Sequence, residues 1–359
     1  METSVRKKSV GVVASILIGA ALLAGCAGAR AQTPPVGTAP TLSAEASVDY
    51  ARPGRYGVAV QEGVWRDSTR QRDVAYLIRY PTELDGLAPI VVFSHGLGGS
   101  ERGAVYYSEH LASHGFAVVH VRHPGSDTAV WGGQRPTPGS IDVARLREAV
   151  SDPRVSIERF RDIPFAIESL RALNETPGAL FGKLDTARVG VSGHSFGAVT
   201  TQVAAGQMFQ GRFSFPAPGV RAFLAMSPSG SRDGDNARAF ANVRAPFLFL
   251  TGTQDSFGLG GDPAQVLASR RAPFDAIEGP PTYLVTLIDG DHFVFSGRQE
   301  MGERQPRDER FHDIIRAVSL AFFSGMLRDD ATARTWLDGP GLTLFAAADA
   351  TVERKAPSR

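Results

Sequence analysis

The 359-residue sequence contains a single cysteine, Cys26, so no internal disulfide can form. It also has no excess charge of either sign. Lys and Arg total 38 and Asp and Glu total 37, a formal charge of +1. Setting aside the first eight residues, with Glu2, Arg6, Lys7 and Lys8, leaves 35 basic and 36 acidic groups. A chain so near neutrality has no electrostatic reason to bind nucleic acid. Neither G-x-G-x-x-G nor a P-loop Gly-Lys-Ser/Thr occurs, which removes the usual nucleotide signatures. No His/Glu/Asp grouping has the H-E-x-x-H spacing of a catalytic zinc site, so a metal is not needed. Internal repeats are lacking, and no Pro/Gly-rich linker divides residues 51 to about 328. One large domain is therefore the simpler count, although the length would accommodate about two of roughly 150 residues. A content of 43% hydrophobic and 21% charged residues excludes a disordered, collagen-like or purely coiled-coil chain.

The amino terminus reads as an export signal. Arg6, Lys7 and Lys8 precede an uncharged apolar run from Val10 to Leu23, the order of a secretory signal peptide. Leu23-Ala24-Gly25-Cys26 then resembles the lipobox of bacterial lipoproteins, which implies cleavage before Cys26 and lipid attachment to its thiol. The alternatives are cleavage after Ala29-Arg30-Ala31, releasing a periplasmic or secreted protein, and a retained membrane anchor. The expected organisation is a signal peptide over 1–25, a Pro-, Ala-, Thr- and Ser-rich tether over 26–50, a catalytic domain over 51–328, and a tail over 329–359. Within the tail, Ala331 to Leu337 reads as a short helix and Thr351 to Arg359 as frayed.

Short apolar, often β-branched runs recur at Tyr56 to Val60, Val74 to Tyr80, Ile90 to Phe93, Phe116 to Val121, Arg188 to Val191, Ala222 to Met226, Phe247 to Leu250 and Thr282 to Ile288. These predict about eight strands. Helical spacing lies between several of them, as at Phe160, Ile163, Ile167 and Leu170, and at Val199 with Val203. Alternation from Ile90 onwards predicts an α/β fold, a mainly parallel sheet with helices on both faces. The first two runs, linked by a turn, predict an antiparallel pair at one edge. Gly125 to Pro153 reads either as a small cap over a site or as a surface excursion. Ser126 to Pro138 and Phe257 to Gly261 are positioned to shape substrate access.

Four loops carry chemistry. Gly193-His194-Ser195-Phe196-Gly197 is a G-x-S-x-G pattern with a strand before it and a helix after it, the context of a nucleophile elbow. Ser94-His95-Gly96-Leu97-Gly98-Gly99 follows an earlier strand and supplies the other half of an oxyanion hole, so the expected backbone donors are Leu97 and Phe196. A serine hydroxyl is a weak nucleophile that needs an imidazole base, itself oriented by a carboxylate. Asp255, after Phe247 to Leu250, and His292, after Thr282 to Ile288, complete the order Ser195, Asp255, His292 at strand ends. Asp291 and Asp262 are rival acids. His194 reads as a packing and hydrogen-bonding residue, and His95, His120 and His123 as site-lining or structural. His110, His114 and His312 read as surface histidines, and Arg161 with Asp162 as a structural ion pair.

Together with His123-Pro124-Gly125-Ser126-Asp127, these loops resemble the dienelactone-hydrolase-like and platelet-activating-factor-acetylhydrolase-like branch of the α/β-hydrolase superfamily, over roughly residues 51 to 328. The resemblance implies a serine carboxylic-ester hydrolase without a cofactor, acting on a small-molecule ester, with no protein partner. Two departures matter. Dienelactone hydrolases proper use a cysteine where this chain has Ser195. In the animal platelet-activating-factor acetylhydrolases the acid follows the strand after the nucleophile helix, whereas here that strand leads into Met226-Ser227-Pro228. The acid is then sought at the next strand end, as in polyester hydrolases and cutinase-like enzymes, which supports Asp255 and weakens a phospholipid assignment. The same residues would also serve a peptidase or acyltransferase, and a non-catalytic binding protein on this fold is the remaining alternative.

Overall fold

The computed structural model describes residues 48–132, 148–256, 262–298 and 304–358. The expected export signal, Cys26, most of the expected tether, the middle of the Gly125 to Pro153 segment and Phe257 to Gly261 lie outside them.

The chain first forms a hairpin, β1 (Val58–Asp67) and β2 (Arg72–Pro81), paired antiparallel in unbroken register. Its turn is fixed by Asp67, whose carboxylate accepts from the Thr69 and Arg70 amides. Then β3 (Ala88–Ser94), α1 (Val105–Ser113), β4 (Ala117–Val121), α2 (Pro153–Glu175), β5 (Leu184–His194), α3 (Phe196–Ala204), β6 (Val220–Met226), α4 (Asn236–Phe240), β7 (Phe247–Gln254), α5 (Pro263–Ala276) and β8 (Thr282–Asp291) alternate as expected. With a last strand, β9 (Ala350–Lys355), the strands order as β1-β2-β4-β3-β5-β6-β7-β8-β9, parallel from β4 to β8, which is the α/β-hydrolase fold.

Burial on both faces explains why the central strands read as continuous apolar runs. In β6, Ala222, Leu224 and Met226 face one core while Phe223 and Ala225 face the other. In β7, Leu248 and Leu250 alternate with Phe247 and Phe249 in the same way. The first core is roofed by α1 and α6 (Asp308–Leu327), the second by α2, α3, α4 and α5. Helix α6 lies so close to β5 that a Cβ on Gly190 would stand 2.6 Å from the Phe323 ring.

Two differences from the sequence reading concern the ends. The carboxy-terminal segment is part of the fold. After α6 come α7 (Ala331–Asp338), α8 (Pro340–Ala346) and β9 (Ala350–Lys355), and β9 pairs antiparallel with β8 as the ninth strand. Thr351 to Lys355 are therefore held by a ladder where fraying was expected. Trp336, Leu337 and Leu342 share the core of α6, and Tyr50, assigned to the tether, is buried against Trp336 with ring centroids 4.9 Å apart.

Sequence order reverses at β3: β4 pairs on one side of it and β5 on the other. The crevice beyond the carboxyl ends of β3 and β5 is the switch point at which such sheets hold ligands. The loop of Ser94 to Gly99 and the turn at Ser195 both open there.

Candidate active site

Ser195 is the residue between β5 and α3, and its backbone sits at φ 57°, ψ −114°. A non-glycine residue at positive φ is strained, and such strain persists only where the surroundings enforce it. The two glycines of the motif provide that enforcement. A Cβ on Gly193 would lie 2.3 Å from the Gly197 carbonyl oxygen, and one on Gly197 would lie 1.9 Å from the Ser94 carbonyl oxygen. The turn can therefore pack against the end of β3 only as Gly-x-Ser-x-Gly.

The structure brings Ser195, His292 and Asp255 into one hydrogen-bonded chain. His292 Nε2 is 2.9 Å from Ser195 Oγ, and His292 Nδ1 is 2.8 Å from Asp255 Oδ1. An ionised carboxylate only accepts, so Nδ1–H donates to Asp255 and Nε2 is left to accept from the serine hydroxyl. Asp255 is fully buried at the end of β7, and Thr251 Oγ1 donates to its second oxygen at 2.8 Å. Arg270 of α5 stands 3.4 Å from that same oxygen and donates to the Asp255, Ser227 and Pro228 carbonyls. Burial alone would raise the Asp255 carboxyl; the His292 hydrogen bond and the Arg270 charge outweigh it and hold the group below its usual range.

The rival acids stand elsewhere. Asp291 accepts from the Phe293 and Val294 amides and pairs with Arg298, while Asp262 caps α5 at Ala264. His194 is buried and donates from Nε2 to the His292 carbonyl at 3.0 Å, bracing the loop that carries His292. Burial, then the neighbouring His292, push its imidazole well below the ordinary histidine value.

Leu97 and Phe196 face the same opening as Ser195 and His292. Phe196 begins α3, so its amide has no carbonyl one turn back to bond. Among the described residues neither amide donates to a protein acceptor. The loop bearing Leu97 is pinned at Gly98, whose amide donates to the Ser126 carbonyl at 2.8 Å and whose carbonyl accepts from Trp131 Nε1 at 2.8 Å. Gly98 has φ 75°, and a Cβ there would strike the Trp131 ring at 2.3 Å. The opening leads into a cavity of about 420 Å³ with Val199, Met208, Phe209 and Val266 on its walls.

His95 and His123 lie beneath this loop. The Nδ1–H of His95 donates to the Gly96 carbonyl, and His95 Nε2 accepts from the His123 amide. His123 bridges Ser94 Oγ and Asp162 Oδ2 at 3.0 Å each. Asp162 corrects one expectation. Adjacent helix residues point about 100° apart, so Arg161 pairs with Glu158 on the surface while Asp162 is buried among Arg70, Arg72 and His123. His110 and His312 are a second correction. Both are buried, donating to the Tyr50 and Val294 carbonyls. His120 is buried against Phe93. Arg270 and Arg159 were missed by sequence reasoning because a cation on an amphipathic helix reads as a surface residue unless its partners are known, and Thr251 because a hydroxyl on a doubly buried strand does not reveal its partner.

No curated protein matches the chain. Residues 79–135 match the family model described as platelet-activating factor acetylhydrolase, isoform II, a segment from β2 through the Leu97 loop and past Trp131. The sheet order gives the chain the α/β-hydrolase fold, and over the matched segment it is similar to the platelet-activating-factor acetylhydrolases.

Proposed function

We propose that the protein is a serine hydrolase that cleaves carboxylic esters through an acyl-enzyme. His292 Nε2 takes the Ser195 proton as Oγ attacks the carbonyl carbon, and Asp255 stabilises the imidazolium. The Leu97 and Phe196 amides receive the oxyanion. His292 then protonates the leaving alcohol and activates the water that releases the acid. No step calls for a cofactor. The observation that carries this reading is the hydrogen-bonded chain from Asp255 through His292 to Ser195, held on a strained turn beside two undonated amides. The apolar walls of the cavity suit an acyl or aryl group of modest size. The acid comes from β7, while β6 leads into Ser227 and Pro228, a departure from the animal platelet-activating-factor acetylhydrolases that favours a small neutral ester over a phospholipid.

The test is labelling of the purified protein with a fluorophosphonate, with peptide mass spectrometry to locate the adduct. Modification of Ser195 that disappears in Ser195→Ala, with turnover of p-nitrophenyl esters, is expected. A folded protein that takes up no label would leave the binding-protein reading. Preferential release from amides, or transfer to alcohols, would move the assignment to a peptidase or an acyltransferase.

Export and lipidation at Cys26 are proposed with it, on the apolar run from Val10 to Leu23 and the Leu-Ala-Gly-Cys sequence. Among the described residues no helix is long and apolar enough to cross a membrane. Incorporation of an alkyne-tagged fatty acid in the producing cell, lost in Cys26→Ala, is the expected result; a processed chain beginning after Ala31 would exclude the anchor.

A further inference from the structure

Arg159 is completely buried in α2, and all three of its guanidinium nitrogens are engaged. Nε donates to Thr200 Oγ1 at 2.8 Å, Nη1 to Ser126 Oγ at 2.8 Å, and Nη2 to Ser94 Oγ at 3.0 Å and to the His95 carbonyl. These partners belong to three different segments. Ser94 and His95 begin the loop that carries Leu97. Ser126 belongs to the residue whose carbonyl holds the Gly98 amide. Thr200 lies one turn into α3, whose first residue is Phe196, and the guanidinium carbon stands 4.6 Å from the Phe196 ring centroid. One side chain thus ties together both predicted oxyanion donors.

Its partners are all neutral. Among the described residues no carboxylate forms an ion pair with Arg159: Glu158 pairs with Arg70 and Arg161, Asp162 is taken up by Arg70, Arg72 and His123, and Asp162 and Asp127 favour the Arg159 charge only from a distance. Burying a cation without a directly paired anion is costly, so the four neutral oxygens that accept from Arg159 hold it in place, and its charge remains open to a negative group that forms nearby. Burial accordingly pulls the Arg159 guanidinium down to about 9 from its ordinary value, which still leaves it charged near neutral pH.

We infer that Arg159 is a positioning residue for the oxyanion hole: it fixes the Leu97 loop against the start of α3 and sets a positive charge behind the site where the tetrahedral oxyanion forms. This rests on the esterase reading of the same site. Its action is specific to the transition state, because the ester carbonyl carries no full charge before attack.

The test compares Arg159→Met and Arg159→Lys with the wild type, rates being normalised by fluorophosphonate titration of Ser195. For Arg159→Met the expected result is a kcat lower by about 10²- to 10³-fold, the range for removing oxyanion stabilisation, with KM within about threefold. A boronic acid, which becomes a tetrahedral anion on the serine, should lose affinity by a comparable factor. The neutral alcohol product should bind as before. Arg159→Lys keeps the charge and should recover at least tenfold of the lost rate. Should Arg159→Met fail to fold, Thr200→Val, which removes one arm and keeps the cation, carries the comparison with an expected kcat loss of about tenfold. Unchanged kcat in the folded variants, or a rise in KM at constant kcat, would overturn the inference while the esterase reading stands. A folded wild type with no ester turnover would overturn the esterase reading itself.

Discussion

Asp255 has no exposed surface, yet each of its oxygens has a donor: His292 on one, Thr251 on the other with Arg270 beside it. Replacement by Asn would present an amide that can donate to Nδ1 and so select the wrong imidazole tautomer. Asp255→Asn is expected to keep its fold and lose about 10⁴ in kcat. Thr251→Val removes one hydrogen bond to a charged acceptor, about 1.5–3 kcal/mol, and should lower kcat/KM by about tenfold or more with a small drop in thermal midpoint. Steady-state kinetics on one p-nitrophenyl ester checks both. At this scale the sequence was most legible where chemistry sits at strand ends: Ser195, Asp255 and His292 each follow an apolar run closely. Arg159 and Arg270 were not legible. Each is a helical arginine whose meaning depends on carbonyls and hydroxyls more than ten residues away in sequence.

The elements meet most tightly where glycine is required. Gly197→Ala would drive a methyl into the Ser94 carbonyl. The elbow would have to open, so fluorophosphonate labelling should vanish even in preparations that retain helical circular dichroism. Gly190→Ala acts on packing alone. Its methyl meets Phe323 of α6, and the expected cost is about 1–3 kcal/mol in urea unfolding with the site intact in the folded fraction. The doubly buried strands were legible because apolar residues fill both faces of β3, β6 and β7. β1 reaches past the predicted Val60 to Asp67 because one face is open to solvent, with Val60 and Val64 exposed, which dilutes the apolar signal. β9 was missed for the same reason. Its sequence, Ala-Thr-Val-Glu-Arg-Lys, is polar enough to pass for a tail, and its place comes from pairing with β8.

Across the whole molecule, several histidines are stored in the neutral form. Burial, with help from the neighbouring Arg79 and Arg159, lowers His120 to about 3 and His123 to about 4, and burial beside His114 lowers His110 to about 3. In the unfolded chain each takes a proton near pH 6.5, so between that value and pH 3–4 the unfolded state binds more protons than the native one. Stability is then complete above about pH 6.5 and is lost as pH falls through this window. Asp162, held down to about 2 against its burial by His123 and Arg72, adds a further loss below its ordinary 3.8. Urea midpoints at pH 8, 6, 5 and 4 should fall steadily from the second value on; a flat profile would mean that the imidazoles titrate freely. The edge strand β9 has a further consequence, in the order of synthesis. A ribosome makes β8, and with it His292, before α6, α7 and α8, and makes β9 only after them. Until then the strand delivering the histidine lies along an unpaired margin, so a nascent chain stalled in α7 would offer chaperones an open backbone in place of a finished site.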